Sequence, residues 1–327
     1  MIKTFSQRSV FLIALFFIPL LASAHTRWFA EGEIPPLVTQ EPTSLYLAGC
    51  FLLATFVVFV GTVLEKKKLF RLDFLRPRTV NAFNRVAATF TMVAGAFFMI
   101  AGTHEYLFSP NLTVHSGVPM LLIMVQFVIG LMFLLGIFAR LGAVLLAIVW
   151  FLALPYAGLE ALVENIWVLS IISFIIIMGN DYFSVLSIRS IKGFVYKFRP
   201  YALPTLRVGT GITLVTLGFT EKIFRPELGL NFLAQHDWNF LASFGVSDYL
   251  FVLLAGTTEA LLGLLLLLGI TTRLVAVVTA IIFTIPLFIL GPIELTGHLP
   301  HFAAIIIIIM FGAGHHFRLF DRMSKNS

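Results

Sequence analysis

Apolar residues run along this chain in long uninterrupted blocks, of which Ala303 to Met310 is one. After a polar stretch ending at Thr43, apolar windows fall at about 44 to 64, 86 to 104, 119 to 138, 141 to 157, 162 to 179, 206 to 221, 249 to 269, 273 to 291 and 301 to 313. Most approach the length a bilayer requires. In lipid every backbone N–H and C=O must be paired internally, which leaves helices or closed barrels, and runs of this length select helices. The pattern predicts an all-α polytopic helical membrane protein with nine spans in the mature chain.

The N-terminus precedes these windows with a different pattern. Lys3 and Arg8 lead an apolar run from Val10 to Leu21, and Ala22-Ser23-Ala24 stands before His25. That order reads as a secretory signal over 1–24 with an A-x-A cleavage site, followed by a periplasmic segment and leader helix over 25–64. Left uncleaved, the signal is a tenth span.

Composition narrows the function classes. With 59% hydrophobic and 12% charged residues, the chain is too apolar for a water-soluble globule. Its one cysteine, Cys50, excludes an intrachain disulfide, a dithiol pair and Cys-x-x-Cys-His haem attachment. The net charge of +6 does not point to nucleic acid, because Lys and Arg cluster beside the spans. The clusters Glu65 to Arg85, Arg189 to Arg207 and Arg318 to Lys325 mark cytoplasmic connections and contacts with anionic lipid. Counting nine spans from an exported N-terminus also puts the 315–327 tail in the cytoplasm. A bacterial inner membrane is the expected location, with most acidic and imidazole side chains toward the outer face.

The chain contains a repeat, which decides the architecture. The stretch from Gln126 aligns without gaps to that from Glu259, pairing Gly130 with Gly263, Gly136 with Gly269 and Arg140 with Arg273. Upstream, Gly102 pairs with Gly218, Glu105 with Glu221, Phe108 with Phe224 and Pro110 with Pro226. Each unit has four spans, so both enter and leave on one side as parallel repeats. The prediction is one leader helix plus two four-helix bundles, 84–180 and 203–314, with a site expected between them.

The residues Arg207, Gly218, Lys222, Glu259 and the Gly263 to Arg273 run give the second unit a resemblance to the DoxX family of four-helix membrane proteins; the first unit resembles it more weakly. The resemblance implies a four-helix fold and, for some members, association with quinone-linked sulfur oxidation or respiratory complexes. The first unit departs from it, with Gln126 in place of Glu259 and Tyr106 in place of Lys222.

Glu259 sits about ten residues into its span, roughly 15 Å deep at a rise of about 1.5 Å per residue. A carboxylate there is protonated, paired or facing a polar cavity, and is a functional candidate; the plainer role is a hydrogen bond between helices. Lys222 and Glu221 end a span, where they either anchor a helix or bind a polar group. Glu160 and Glu164 lie one helical turn apart, as do Glu294 and His298, with His301 nearby. These acids and imidazoles suit proton relay or metal binding, against ordinary loop polarity, and Glu105, Glu294 and His298 are candidates for holding a cofactor. His25, with a freed α-amino group, would chelate copper. Nothing resembles a phosphate loop, a His-Glu-x-x-His motif or a nucleophile elbow. Three functions follow in order: a membrane subunit of a quinone-linked redox system whose partner protein carries the redox centre, a proton-coupled transporter for a small solute, and periplasmic handling of copper or another metal through His25 and the outer-face histidines, His301 among them.

Overall fold

The computed structural model describes residues 43–79, 81–186, 192–291 and 293–319. The signal segment and His25 lie outside the described residues. Helix α1, Ser44–Lys66, starts where the Thr43 hydroxyl accepts from the Tyr46 backbone N–H. Only 6% of its apolar window is buried by protein, so its remaining surface needs lipid. Three contacts dock it on the second unit. The Tyr46 and Thr257 hydroxyls share a hydrogen bond of 2.6 Å, Gly61 abuts Leu265 and Ile270, and Glu65 Oε2 accepts from the Thr271 N–H at 3.0 Å.

The first unit comprises α2 (Ala82–Thr103), α3 (Met120–Leu135), α4 (Ala139–Leu152), α5 (Leu154–Glu164) and α6 (Trp167–Met178). The second comprises α7 (Ala202–Leu217) with a π-helical turn (Gly218–Ile223), α8 (Pro226–His236), α9 (Asp248–Leu268), α10 (Thr272–Thr284) and α11 (Ile293–Phe311). The repeat read from the sequence recurs in the packing. A Cβ on Gly95 would meet the Gly130 carbonyl at 2.6 Å, and one on Gly211 would meet the Gly263 carbonyl at 2.8 Å, so each first helix meets its neighbour backbone to backbone. Arg140 Nε donates to the Ile176 carbonyl at 3.0 Å, and Arg273 Nε to the Ile309 carbonyl at 3.1 Å. Gly136 and Gly269 close α3 and α9 in the left-handed region, at φ 65° and 67°.

The last helix of each unit packs on the first helix of the other: α6 on α7, and α11 on α2. This reciprocity makes the units parallel repeats around an axis between them. One aromatic and aliphatic core crosses the boundary, joining Phe90, Phe97, Phe98, Trp167 and Phe174 to Leu206 and Ile307. Trp167 stacks on Phe98 with ring centroids 6.1 Å apart and meets Phe97 edge-on at 5.4 Å.

The spans differ from their windows in length. The helices α1, α2, α7 with its flanking turns, and α9 are each long and apolar enough to cross a membrane; α3, α6, α10 and the 297–311 part of α11 are apolar but shorter. Window 141 to 157 breaks after Leu152, where α4 and α5 meet at 108°. Pro155 stands in the first turn of α5, and Gly158 adopts φ 76°, ψ 163°, which ends the helical register. The chain therefore turns away from the bundle along α5, with Leu154 and Leu159 exposed, and brings Glu164 back to the boundary between the units.

Candidate functional site

In the second unit α7 and α9 touch twice, at Gly211 with Gly263 and again at Gly218 with Gly256. A Cβ on Gly256 would lie 2.7 Å from both the Gly218 carbonyl and Lys222 Cβ. Beyond that contact the chain continues as the π-helical turn, and Lys222 Nζ donates to Glu259 Oε2 at 2.6 Å. The side chains are 20% and 16% exposed. Removal from water costs each charge several kcal/mol, so the ions persist there only because they meet.

The matching positions of the first unit are also joined, by other chemistry. Gln126, fully buried, accepts from the Phe108 N–H at 2.9 Å and donates to the Tyr106 carbonyl at 3.2 Å. Helix α2 has already ended at Thr103, and the loop turns at Glu105 and Phe108, both with positive φ. The amide fixes that loop without placing a charge in the bundle. Burial of the Tyr106 phenol in the loop pushes its pKa above the usual value.

A polar crevice of about 20 Å³ lies where the units meet. Glu164, Asn111 and Ser109 come from the first unit, and Glu221 and His301 from the second. Glu164, Glu221 and His301 are all at least nine-tenths buried. Asn111 Nδ2 donates to Glu164 Oε2 at 3.5 Å, and Ser109 donates to Asn111. Asn165 accepts from Trp167 Nε1 at 3.2 Å, while the Trp167 ring lies 5.0 Å from that of His301. His298, one turn from His301, is buried against Phe283. Arg225 of the second unit pairs with Glu160 of the first, a more exposed link across the same boundary.

The structure thus gathers Glu221, Glu164 and His301 into one crevice and pairs Lys222 with Glu259. It leaves Glu105 exposed on its loop, and Glu105 does not line the crevice. The side chain of Glu294 and all of His25 lie outside the described residues. Among the described residues no group of three or more His, Cys, Asp or Glu side chains is arranged to hold a metal ion. Sequence reasoning did not single out Asn111, Ser109 or Asn165, and it named Glu164 as a helix-face neighbour of Glu160 among the acids and imidazoles suited to proton relay or metal binding. Their convergence depends on the bend between α4 and α5, for which Pro155 and Gly158 were the available signal.

Arg207 has a structural role. Fully buried, it donates to the carbonyls of Leu266, Leu267 (2.8 Å), Ala313 (3.2 Å), His316 (3.2 Å) and Phe317 (2.7 Å). It satisfies carbonyls at the ends of α9 and α11, where helices leave acceptors without partners and the dipole favours a cation.

Two water-poor carboxylates, an imidazole and an ammonium–carboxylate pair can accept, hold and pass protons. Fold and site together define a duplicated helical membrane protein whose charged centre is confined to the second unit and its boundary with the first. A family model described as DoxX matches residues 82–159 and 202–292, just over half of the chain, and the protein belongs to the DoxX family. No curated protein and no solved structure matches the chain.

Proposed function

We propose that this DoxX protein is the proton-handling membrane subunit of a quinone-linked redox system, working with a partner protein that carries the redox centre. The observation behind this reading is the convergence of Glu164, Glu221 and His301 in one crevice, with Lys222 and Glu259 adjoining it through the same turn. Oxidation of a quinol releases two electrons and two protons. The electrons pass to the partner's redox centre, and the protons need groups that change protonation state, which carboxylates and imidazoles do.

The crevice volume of about 20 Å³ suits a single water, for which about 10–15 Å³ is needed. A quinone ring does not fit in it. The quinone is therefore assigned to the partner or the lipid boundary, and the chain's own residues are assigned the proton path alone. With the basic connections in the cytoplasm, this path faces the periplasm.

Purification from native membranes tests the proposal. The expected preparation retains quinone and a cofactor-bearing protein, and Glu221→Gln slows quinol-linked proton release by about tenfold or more. A preparation free of quinone that neither oxidises nor reduces added quinol contradicts it.

One observation favours a second reading, a proton-coupled transporter. Interrupted helices often form transporter sites, and here the bend after Leu152 and the π-helical turn break regular helix, while Pro300 stands inside α11. Uptake into proteoliposomes that ignores both a pH gradient and Glu259→Gln would remove that alternative.

A further inference from the structure

A second, larger cavity of about 580 Å³ opens at the opposite, basic end of the molecule. Its walls come from the segment after α1, from the α9 to α10 turn and from the end of α11. Five arginines line it, Arg71, Arg76, Arg78, Arg273 and Arg318, against two acids, Glu65 and Asp73, which leaves three positive charges uncompensated. Arg273 Nη1 pairs with Asp73 at 2.6 Å, and Arg318 with Glu65 at 2.7 Å. Arg76 and Arg78 are exposed to the cavity and form no ion pair with a described residue.

Two further observations point to an anion there. The Thr272 hydroxyl, on a residue 5% exposed, lines the cavity and has no hydrogen-bond partner among the described residues. Thr272 also opens α10, so the positive end of a helix dipole faces the same space. The repeat shows how the cavity arises. In the first unit the loop after α6 places Asp181 on Arg140, with two contacts of 3.0 Å. The matching position of the second unit is Gly314, which also lines the cavity. The first unit covers Arg140 with Asp181 of its own loop, and in the second Asp73, from the segment after α1, takes that place on Arg273, so that Gly314 leaves room for the cavity beside the pair.

We propose that this cavity binds a phosphate-bearing ligand through Arg76, Arg78 and Thr272. Phe70, Phe83 and Phe311 form an apolar wall beside the arginines, which matches a phosphodiester headgroup whose acyl chains remain in the bilayer. A soluble phosphate compound presents the same anionic oxygens without the chains.

Purified full-length protein in a neutral detergent, stripped of lipid, provides the test. The probes are dioleoylphosphatidylglycerol, dioleoylphosphatidylcholine and inorganic pyrophosphate, followed by native mass spectrometry and thermal unfolding. Phosphatidylglycerol is expected to stay bound at a defined stoichiometry and to raise the unfolding temperature more than phosphatidylcholine. Arg76→Gln with Arg78→Gln is expected to weaken it about 25-fold, at roughly fivefold per arginine, and to leave the lipid-free unfolding temperature unchanged. Thr272→Val weakens it severalfold. Pyrophosphate binding with the same sensitivity, and no preference for phosphatidylglycerol, upholds the site and assigns it to a soluble phosphate. The proposal is overturned if neither probe binds. It is also overturned if Lys67→Gln with Lys68→Gln, outside the cavity, weakens binding as much as the arginine pair, because the attraction then belongs to the basic surface in general.

Discussion

The two units share helices, turns and glycine contacts, yet they join the same pair of positions in opposite ways. In the first, Gln126 reaches the backbone at Tyr106 and Phe108, and the helix before them has ended. In the second, Glu259 meets the Lys222 side chain on a helix that continues through a π-helical turn. The glycines explain how. Both units have the Gly95 or Gly211 contact, but the position of Gly256 is Ile123 in the first unit, so only α7 and α9 stay close far enough for a lysine to span the gap. Duplication preserved a scaffold in one copy and, in the other, kept charges that cost stability unless paired. A similar contrast separates buried Arg207 from Thr91, whose hydroxyl accompanies the Ala87 and Gly179 carbonyls.

Exchanging residues between the units breaks the comparison where it is strongest. Arg207→Thr gives the second unit the first unit's residue and strips donors from five carbonyls, at an expected cost of about 3–5 kcal/mol in thermal unfolding. Next in size, Lys222→Met and Glu259→Gln each lose about 2–3 kcal/mol, reduced from the fully buried value because both side chains keep some exposure. The double variant loses less than the sum, and strict additivity would remove the ion pair from the account.

Gly256→Ile copies Ile123 into the second unit. The added side chain meets the Gly218 carbonyl and Lys222 Cβ, costs about 1–3 kcal/mol and abolishes the coupling between positions 222 and 259. The smallest effect belongs to Tyr106. Its folded pKa is raised, so its stabilisation is complete below the unfolded value of 10 and fades as pH rises through the folded one. Tyr106→Phe therefore leaves the pH dependence near neutrality unchanged and flattens the alkaline loss of unfolding temperature.

The amino-acid sequence reveals the repeat because close helix contacts and tight turns demand particular residues. Gly95 with Gly130, Gly211 with Gly263, and Arg140 with Arg273 keep their partners in both units. Glu259 was legible as a carboxylate too deep in a span to stand alone. Its partner was not, because a regular helix leaves Lys222 at the span's end, and no residue pattern announces a π-helical turn. Glu164 and His301 were visible as polar residues, but their meeting requires the chain to bend back along α5. That placement comes from packing between the units, and the exposed Glu105 shows that equivalent sequence positions need not share an environment.

Glu105 and Glu221 supply the most direct test, since they occupy the same place in the two repeats. Quinol-linked proton release is compared in native membranes carrying Glu105→Gln or Glu221→Gln at equal protein level. Loss confined to Glu221→Gln, by about tenfold or more, is the predicted result. Equal loss in both, or none in either, would contradict a proton path built by the second unit.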